Sequence, residues 1–134
     1  MRSSKEKTKI IAFDLDDVLC RRNTDVGEVD KYLSCYPIQK MIDICNECYD
    51  NGYKIVVYTA RGMTSFDGDI HDIYDNLYEL TKDQLSKWGV KYHRLIMGKA
   101  HYDILIDDKT INSNRIKKKE DIIKFLENNK EALI

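Results

Sequence analysis

The chain has 134 residues, and its 22 Lys and Arg residues against 23 Asp and Glu residues give a formal net charge of −1. This length fits one domain that buries about two-thirds of its unfolded surface. The balanced charge gives no basic field for nucleic acid or an anionic membrane, and no apolar run reaches membrane-spanning length, so a cytoplasmic protein without either partner is expected. The polar residues 1–8 are expected to form a disordered lead, and residues 9–134 a single domain.

Three short apolar runs each end in a polar residue. Residues 10–13 lead to Asp14, residues 55–58 lead to Thr59, and residues 104–106 lead to Asp107. Short apolar runs separated by helix-length stretches are typical of parallel strands that helices cover on both faces. Because open parallel sheets bind ligands at the carboxyl ends of their strands, these three polar residues should converge on one pocket.

The stretches between the runs predict helices, further strands and loops. Residues 37–50 are amphipathic, with Pro37 suited to the first helical turn and the pair 51–52 to the end of the helix. A second helix is predicted through residues 73–80, and a capping box at Thr81 predicts a third that stops at Gly89. Strands over 92–97 and 103–106 and a helix over 120–128 complete the pattern, with loops over 19–36 and 61–69. The alternation indicates a Rossmann-like α/β fold, a parallel sheet sandwiched by helices.

Four motifs in order carry a family resemblance. They are Asp14-Leu15-Asp16-Asp17-Val18, Thr59-Ala60-Arg61-Gly62, Lys99 within residues 97–100, and the pair Asp107-Asp108. In these motifs, over residues 9–115, the chain resembles the haloacid dehalogenase superfamily. Within it, segments 59–63 and 98–103 look like those of bacterial phosphatases of capsule and surface-polysaccharide biosynthesis. The intervals between motifs are largely used by the helices of the fold, so no separate cap domain is expected.

The resemblance implies roles for the motif residues. Asp14 would be the nucleophile that forms an aspartyl-phosphate, and Asp16 would act as general acid and then as base. Thr59 would hydrogen-bond a phosphoryl oxygen, and Lys99 would neutralise the charge of the nucleophile and the phosphate.

The resemblance also implies a metal ion. Mg²⁺ prefers oxygen ligands. These would come from the carboxylates of Asp14 and Asp107 and the backbone carbonyl of Asp16, with Asp108 binding through water.

Thr59, Ala60, Arg61 and Lys99 are the expected substrate-binding residues. For Arg61 two interpretations stay open, contact with the phosphate or substrate, or pairing with an acidic neighbour. The expected substrate is a small phosphorylated metabolite such as a sugar phosphate, and a neighbouring subunit that closes the site is also conceivable. The alternatives are a phosphoprotein or nucleic-acid end as substrate, and a phosphorylatable receiver-like module. In receiver domains, however, the acidic pair precedes the phosphorylated Asp, and here it follows.

Four cysteines raise the question of zinc. Cys45 and Cys48 have Cys-x-x-Cys spacing, with Cys20 and Cys35 as conceivable partners. Core packing is the preferred interpretation, because Cys45 and Cys48 fall at helical steps on the apolar face of the predicted helix over 37–50. The extra carboxylate at Asp17, where relatives often have Gly, has no assigned role.

Overall fold

The computed structural model describes residues 9–22 and 32–132, except for the side chains of 129–132. The chain divides into two compact units, Met1–His101 and Tyr102–Ile134, and each is described by itself. The predicted disordered lead and residues 23–31 of the first predicted loop lie outside the described residues.

A parallel sheet of three strands organises the first unit. Strands β1 (Ile10–Asp14), β4 (Lys54–Thr59) and β5 (Arg94–Met97) lie in the order β1-β4-β5. Asp14 stands opposite Tyr58 in the register, and Thr59 stands opposite Met97. The strand predictions for these segments are confirmed. Helices flank the sheet, as expected for an α/β unit of Rossmann-like type.

Helix α1 (Gln39–Asp50) packs its apolar stripe into the core. Pro37 lies in a short strand instead of the first helical turn, so the helix begins two residues later than predicted. It ends at the predicted pair 51–52: Asn51 is the C-cap, and Gly52 follows with φ +92°, a left-handed conformation that favours glycine. Cys45 and Cys48 on this helix are fully buried, which confirms core packing for this pair.

One helical segment spans the region where two helices were predicted. It consists of α2 (Ile70–Ile73), a π-helical turn (Tyr74–Tyr78) and α3 (Glu79–Lys87). The prediction that Thr81 begins a new helix is wrong, because Thr81 lies inside α3 with its side chain fully buried. Its hydroxyl accepts a hydrogen bond from Arg61 instead of capping a helix.

A two-stranded antiparallel ribbon follows the end of β1. Strands β2 (Cys20–Arg21) and β3 (Tyr36–Pro37) pair with Cys20 opposite Pro37. Between β1 and β2, Asp17 has φ +69°, and its carboxylate lies 3.0 Å from the Arg22 guanidinium. Asp tolerates the left-handed conformation better than most residues. This backbone conformation explains why a glycine suits the same position in the motif.

The second unit holds a 3₁₀ turn (Ser113–Arg115) and helix α4 (Lys119–Ala132). The prediction of a strand over 103–106 is wrong, since the described backbone there is irregular. Ile104 and Ile106 are 77% and 91% exposed. An apolar run forms a strand only when a neighbouring strand supplies hydrogen bonds, and no strand occurs among the described residues of this unit.

No helix in the described ranges combines the length and hydrophobicity that a membrane span requires. The apolar core of the first unit comes from the sheet, the turn after β1, α1 and the segment 70–87, and includes Phe13, Leu15, Leu19, Ile42, Ile55, Val57, Ile73, Leu77 and Leu85.

Glycine 62 offers a test of this core. Gly62 has φ +80°, and an added Cβ would lie 2.7 Å from Leu77 Cδ1 and 3.1 Å from Phe66. Gly89 has φ +72°, but apart from its own residue and its two chain neighbours no described atom lies within 4 Å of its Cβ position. We therefore expect Gly62→Ala to lower the free energy of unfolding by about 2–4 kcal/mol, and the control Gly89→Ala by about 1–2 kcal/mol from backbone strain alone. Urea unfolding of both variants checks this, and equal losses would contradict the packing at Gly62.

Candidate active site

Three predicted site residues meet at the carboxyl edge of the sheet. Asp14 ends β1, Thr59 ends β4, and Lys99 follows β5 by two residues. The Lys99 ammonium lies 3.2 Å from Asp14 Oδ2, and the Lys99 backbone N–H donates to the Thr59 carbonyl at 3.0 Å. Of the three strand-end residues expected to converge, Asp14 and Thr59 lie at this edge, because parallel strands bring their carboxyl ends together. Asp107 belongs to the second unit, and its convergence with them stays a prediction.

Asp14 lies in an environment that disfavours its negative charge. Burial raises the pKa of its carboxyl, and the opposing charge of Lys99 only partly offsets that effect. The Leu15 N–H also donates to Asp14 Oδ1, at 2.8 Å. The side chain is still 37% exposed, so a ligand can reach it. A further cation beside Asp14 would be favourable, because one lysine does not compensate the burial of this carboxylate.

The Thr59 side chain holds the first residues of the loop that follows β4. This side chain is fully buried, and its hydroxyl accepts a hydrogen bond from the Arg61 N–H at 3.1 Å. Ala60 between them is half-buried. The Gly62 N–H donates to the Tyr32 hydroxyl at 3.2 Å. These bonds fix the backbone over 59–62 and leave the Thr59 hydroxyl proton to be donated elsewhere.

The Arg61 side chain is buried behind this edge and pairs with Asp16. It is 1% exposed, and its Nε lies 3.1 Å from Asp16 Oδ2 and its Nη2 3.1 Å from Asp16 Oδ1. Its Nη1 donates to Thr81 at 3.1 Å and to Gln84 at 2.6 Å. The guanidinium also lies 4.9 Å from the centroid of the Tyr32 ring. Of the two interpretations for Arg61, the structure shows the second, pairing with an acidic neighbour, which is Asp16.

Burial lowers the pKa of the Arg61 guanidinium, but the charge and hydrogen bonds of Asp16 raise this pKa by more than burial lowers it. The net shift of the pKa is therefore upward. Arg61 therefore stays charged and holds the Asp16 carboxylate in place. The Asp16 side chain is only 13% exposed.

Two cysteines complete the surroundings of Asp16. Cys20 Sγ lies 3.4 Å and Cys35 Sγ 3.8 Å from Asp16 Oδ1. The hydrogen bond between the two thiols, followed by burial, raises the pKa of the Cys20 thiol. The same hydrogen bond, with help from the Arg61 charge, lowers the pKa of the Cys35 thiol.

Asp107 and Asp108 belong to the second unit, where both are exposed. Asp107 Oδ1 accepts a hydrogen bond from the Lys109 N–H at 3.0 Å, which lowers the pKa of Asp107. Their expected role as metal ligands stays a prediction.

The sequence does not indicate which residues surround the Arg61 guanidinium. Its neighbours come from separate parts of the chain: Cys20 begins β2, Tyr32 and Cys35 precede β3, and Thr81 and Gln84 lie in α3. A buried arginine next to a motif carboxylate requires such partners, yet their positions depend on tertiary packing.

The edge as a whole suits chemistry on an anion. It presents a partly exposed carboxylate beside a cationic Lys99, and the buried Thr59 lies at the end of the neighbouring strand. Carboxylate and carbonyl oxygens of this kind are the ligands that Mg²⁺ prefers, so Asp14 and the Asp16 carbonyl fit such an ion. The cluster of Asp16, Cys20 and Cys35 does not, because two of its three donors are sulfur.

Comparison with known proteins gives one structural likeness. No protein-family model and no curated protein matches the chain. A crystal structure of a structural-genomics target from Vibrio cholerae is similar, with a TM-score of 0.77 and 26% sequence identity over 90% of this chain and 98% of the other. The chain is therefore similar to a solved protein over nearly its whole length, which supports the mixed α/β architecture with a parallel sheet.

Proposed function

We propose that the chain is a Mg²⁺-dependent phosphatase that hydrolyses a small phosphomonoester through an aspartyl-phosphate at Asp14. The observation that carries this proposal is the pair of Asp14 and Lys99, 3.2 Å apart at the carboxyl edge of a parallel sheet. It is supported by the order of the sequence motifs, whose resemblance is to haloacid dehalogenase phosphatases.

In the first step an Asp14 oxygen attacks phosphorus, and the bond to the leaving oxygen breaks. Lys99 offsets negative charge on the carboxylate and the phosphoryl group, and the Thr59 hydroxyl would donate a hydrogen bond to a phosphoryl oxygen. In the second step water attacks phosphorus and restores the Asp14 carboxylate. Asp16 would donate a proton to the leaving oxygen and later accept one from water, and this requires its ion pair with Arg61 to open.

A carboxylate and a phosphate charge repel each other by about 4 kcal/mol at about 4 Å and an effective dielectric of about 20. Bound Mg²⁺ would supply positive charge that offsets this repulsion. Asp14 and the Asp16 carbonyl are the ligands proposed from the first unit, with Asp107 and Asp108 proposed from the sequence motif.

The proposed substrate is a sugar phosphate or a related metabolite, in keeping with the resemblance to polysaccharide-biosynthesis phosphatases. Phosphate release from p-nitrophenyl phosphate, with Mg²⁺ and after chelation, tests the reaction. We expect turnover with Mg²⁺ and a loss of at least about 100-fold without it. A panel of sugar phosphates, a phosphoserine peptide and a 5′-phosphorylated oligonucleotide then tests the substrate class. Activity on the peptide or oligonucleotide alone would refute a metabolite substrate.

A further inference from the structure

A second chemical cluster lies behind the candidate active site. The Sγ atoms of Cys20 and Cys35 and a carboxylate oxygen of Asp16 all lie within 4.8 Å of one another. Cys20 is fully buried, and Cys35 is half-buried. Arg61 Nη2 lies 3.7 Å from Cys20 Sγ and 3.6 Å from Cys35 Sγ. Two thiols therefore share one buried arginine.

The arrangement disfavours a metal ion in this cluster. A thiolate–carboxylate set could hold zinc, but the Arg61 guanidinium already contacts all three side chains. A divalent cation would stand next to this charge in a site that is largely closed to water, where repulsion is strong. The guanidinium therefore supplies the positive charge that a metal ion would supply to these three side chains.

The ribbon of β2 and β3 brings the two sulfurs close enough together for disulfide formation to be considered. Cys20 lies opposite Pro37, and Cys35 stands two residues before Pro37. Because residues two apart along an extended chain point to the same side, Cys35 and Cys20 share a face of the ribbon. A disulfide requires the sulfurs to approach from within 4.8 Å to about 2.0 Å, and Cys35, which lies just outside β3, is the residue that would move.

We propose that Cys20 and Cys35 are a reversible oxidation site that forms an intrachain disulfide in the presence of a peroxide. The Cys35 sulfur attacks one peroxide oxygen, the O–O bond breaks, and water leaves, so Cys35 becomes a sulfenic acid. The Cys20 sulfur then attacks the Cys35 sulfur, the S–O bond breaks, and the oxygen leaves as water after taking the Cys20 proton. Two thiols are oxidised to one disulfide, and one hydrogen peroxide is reduced to two waters.

The disulfide would change the surroundings of Asp16. Both thiols lie within hydrogen-bond reach of Asp16 Oδ1, at 3.4 and 3.8 Å, and a disulfide has no proton to donate. Oxidation therefore removes these two donors and leaves Arg61 to hold the carboxylate. The reaction depends on the two sulfurs alone and would occur whether or not the chain is a phosphatase.

The test uses the full chain, fully reduced and freed of reductant. After hydrogen peroxide treatment and alkylation under denaturing conditions, tryptic digestion without reductant should give peptide 10–21, with Cys20, linked to peptide 32–40, with Cys35. Peptide 41–54 carries Cys45 and Cys48 and is the internal control, since both thiols are buried in the core and should stay reduced. Dithiothreitol should abolish the link, and the oxidised protein should melt at a higher temperature because the cross-link restricts the unfolded chain.

The variant Cys35→Ser should form no such link and should show no rise in melting temperature with peroxide. Over-oxidation of Cys35 in the wild-type protein without a link to Cys20 would overturn the proposal. So would a Cys45–Cys48 disulfide in place of the proposed one. One zinc per purified chain that is lost in Cys35→Ser would also overturn it, because it would assign the cluster to a metal.

Discussion

Replacing Asp14 by Asn should abolish phosphate release and leave the protein folded. Asn is nearly isosteric with Asp, but its amide is a poor nucleophile and carries no charge, so we expect turnover to fall by at least about 10³-fold. The control is Asp17→Asn, the same change three residues further along, because Asp17 lies on the surface and pairs with Arg22. Its turnover should stay within several-fold of the wild-type value. Metal-dependent turnover retained in folded Asp14→Asn would rule out Asp14 as the nucleophile.

The same variant should also change the pH dependence of stability. Burial raises the pKa of Asp14 in the folded protein, so folding favours the protonated carboxyl. The stabilising contribution of this proton is present at low pH and is lost as pH rises through the folded pKa. In chelator, Asp14→Asn should therefore melt at a higher temperature than the wild type at pH 7, and the difference should shrink as the pH falls to about 4. A difference that grows towards acid pH would contradict the desolvated environment of Asp14.

Replacing Arg61 by Met should produce the largest loss of stability. Arg61 is almost fully buried, and its removal leaves the Asp16 carboxylate without its cation and Thr81 and Gln84 without their donor. Breaking a buried ion pair by removing one partner costs about 3–5 kcal/mol, because an uncompensated charge stays buried. Urea unfolding of the variant measures this loss.

The matched control is Arg22→Met, which removes an arginine from an ion pair with Asp17 of similar length, 3.0 Å, but exposed. That change should cost no more than about 1 kcal/mol. In a double variant, Asp16→Asn with Arg61→Met, part of the loss should be recovered, since no unpaired charge remains. Equal costs for Arg61→Met and Arg22→Met would contradict the buried position of the Asp16–Arg61 pair.

Local patterns in the sequence were sufficient to predict β1, β4 and β5 and the residues at their carboxyl ends. The apolar runs before Asp14 and Thr59 form β1 and β4, and the parallel pairing of the strands brings both residues and Lys99 to one edge. This succeeds because strand burial, strand direction and the position of strand ends depend on short stretches of sequence. The helix over 39–50 and the glycine that follows its C-cap were likewise predicted from short stretches of sequence.

Tertiary structure alone decided how the residues behind that edge are used. Thr81 has the spacing of a helix cap, but its hydroxyl accepts a hydrogen bond from the Arg61 guanidinium, and Thr81 lies inside α3. Cys20 and Cys35 lie far apart in sequence and meet at Asp16 because β2 pairs with β3. Residues 104–106 have the composition of a strand, yet a strand also needs a hydrogen-bonding neighbour, which composition cannot specify. The sequence by itself determined that Asp14 and Thr59 end strands, whereas long-range packing decided the partners of Asp16 and Arg61, because a buried charge is stabilised by whatever groups the fold brings to it.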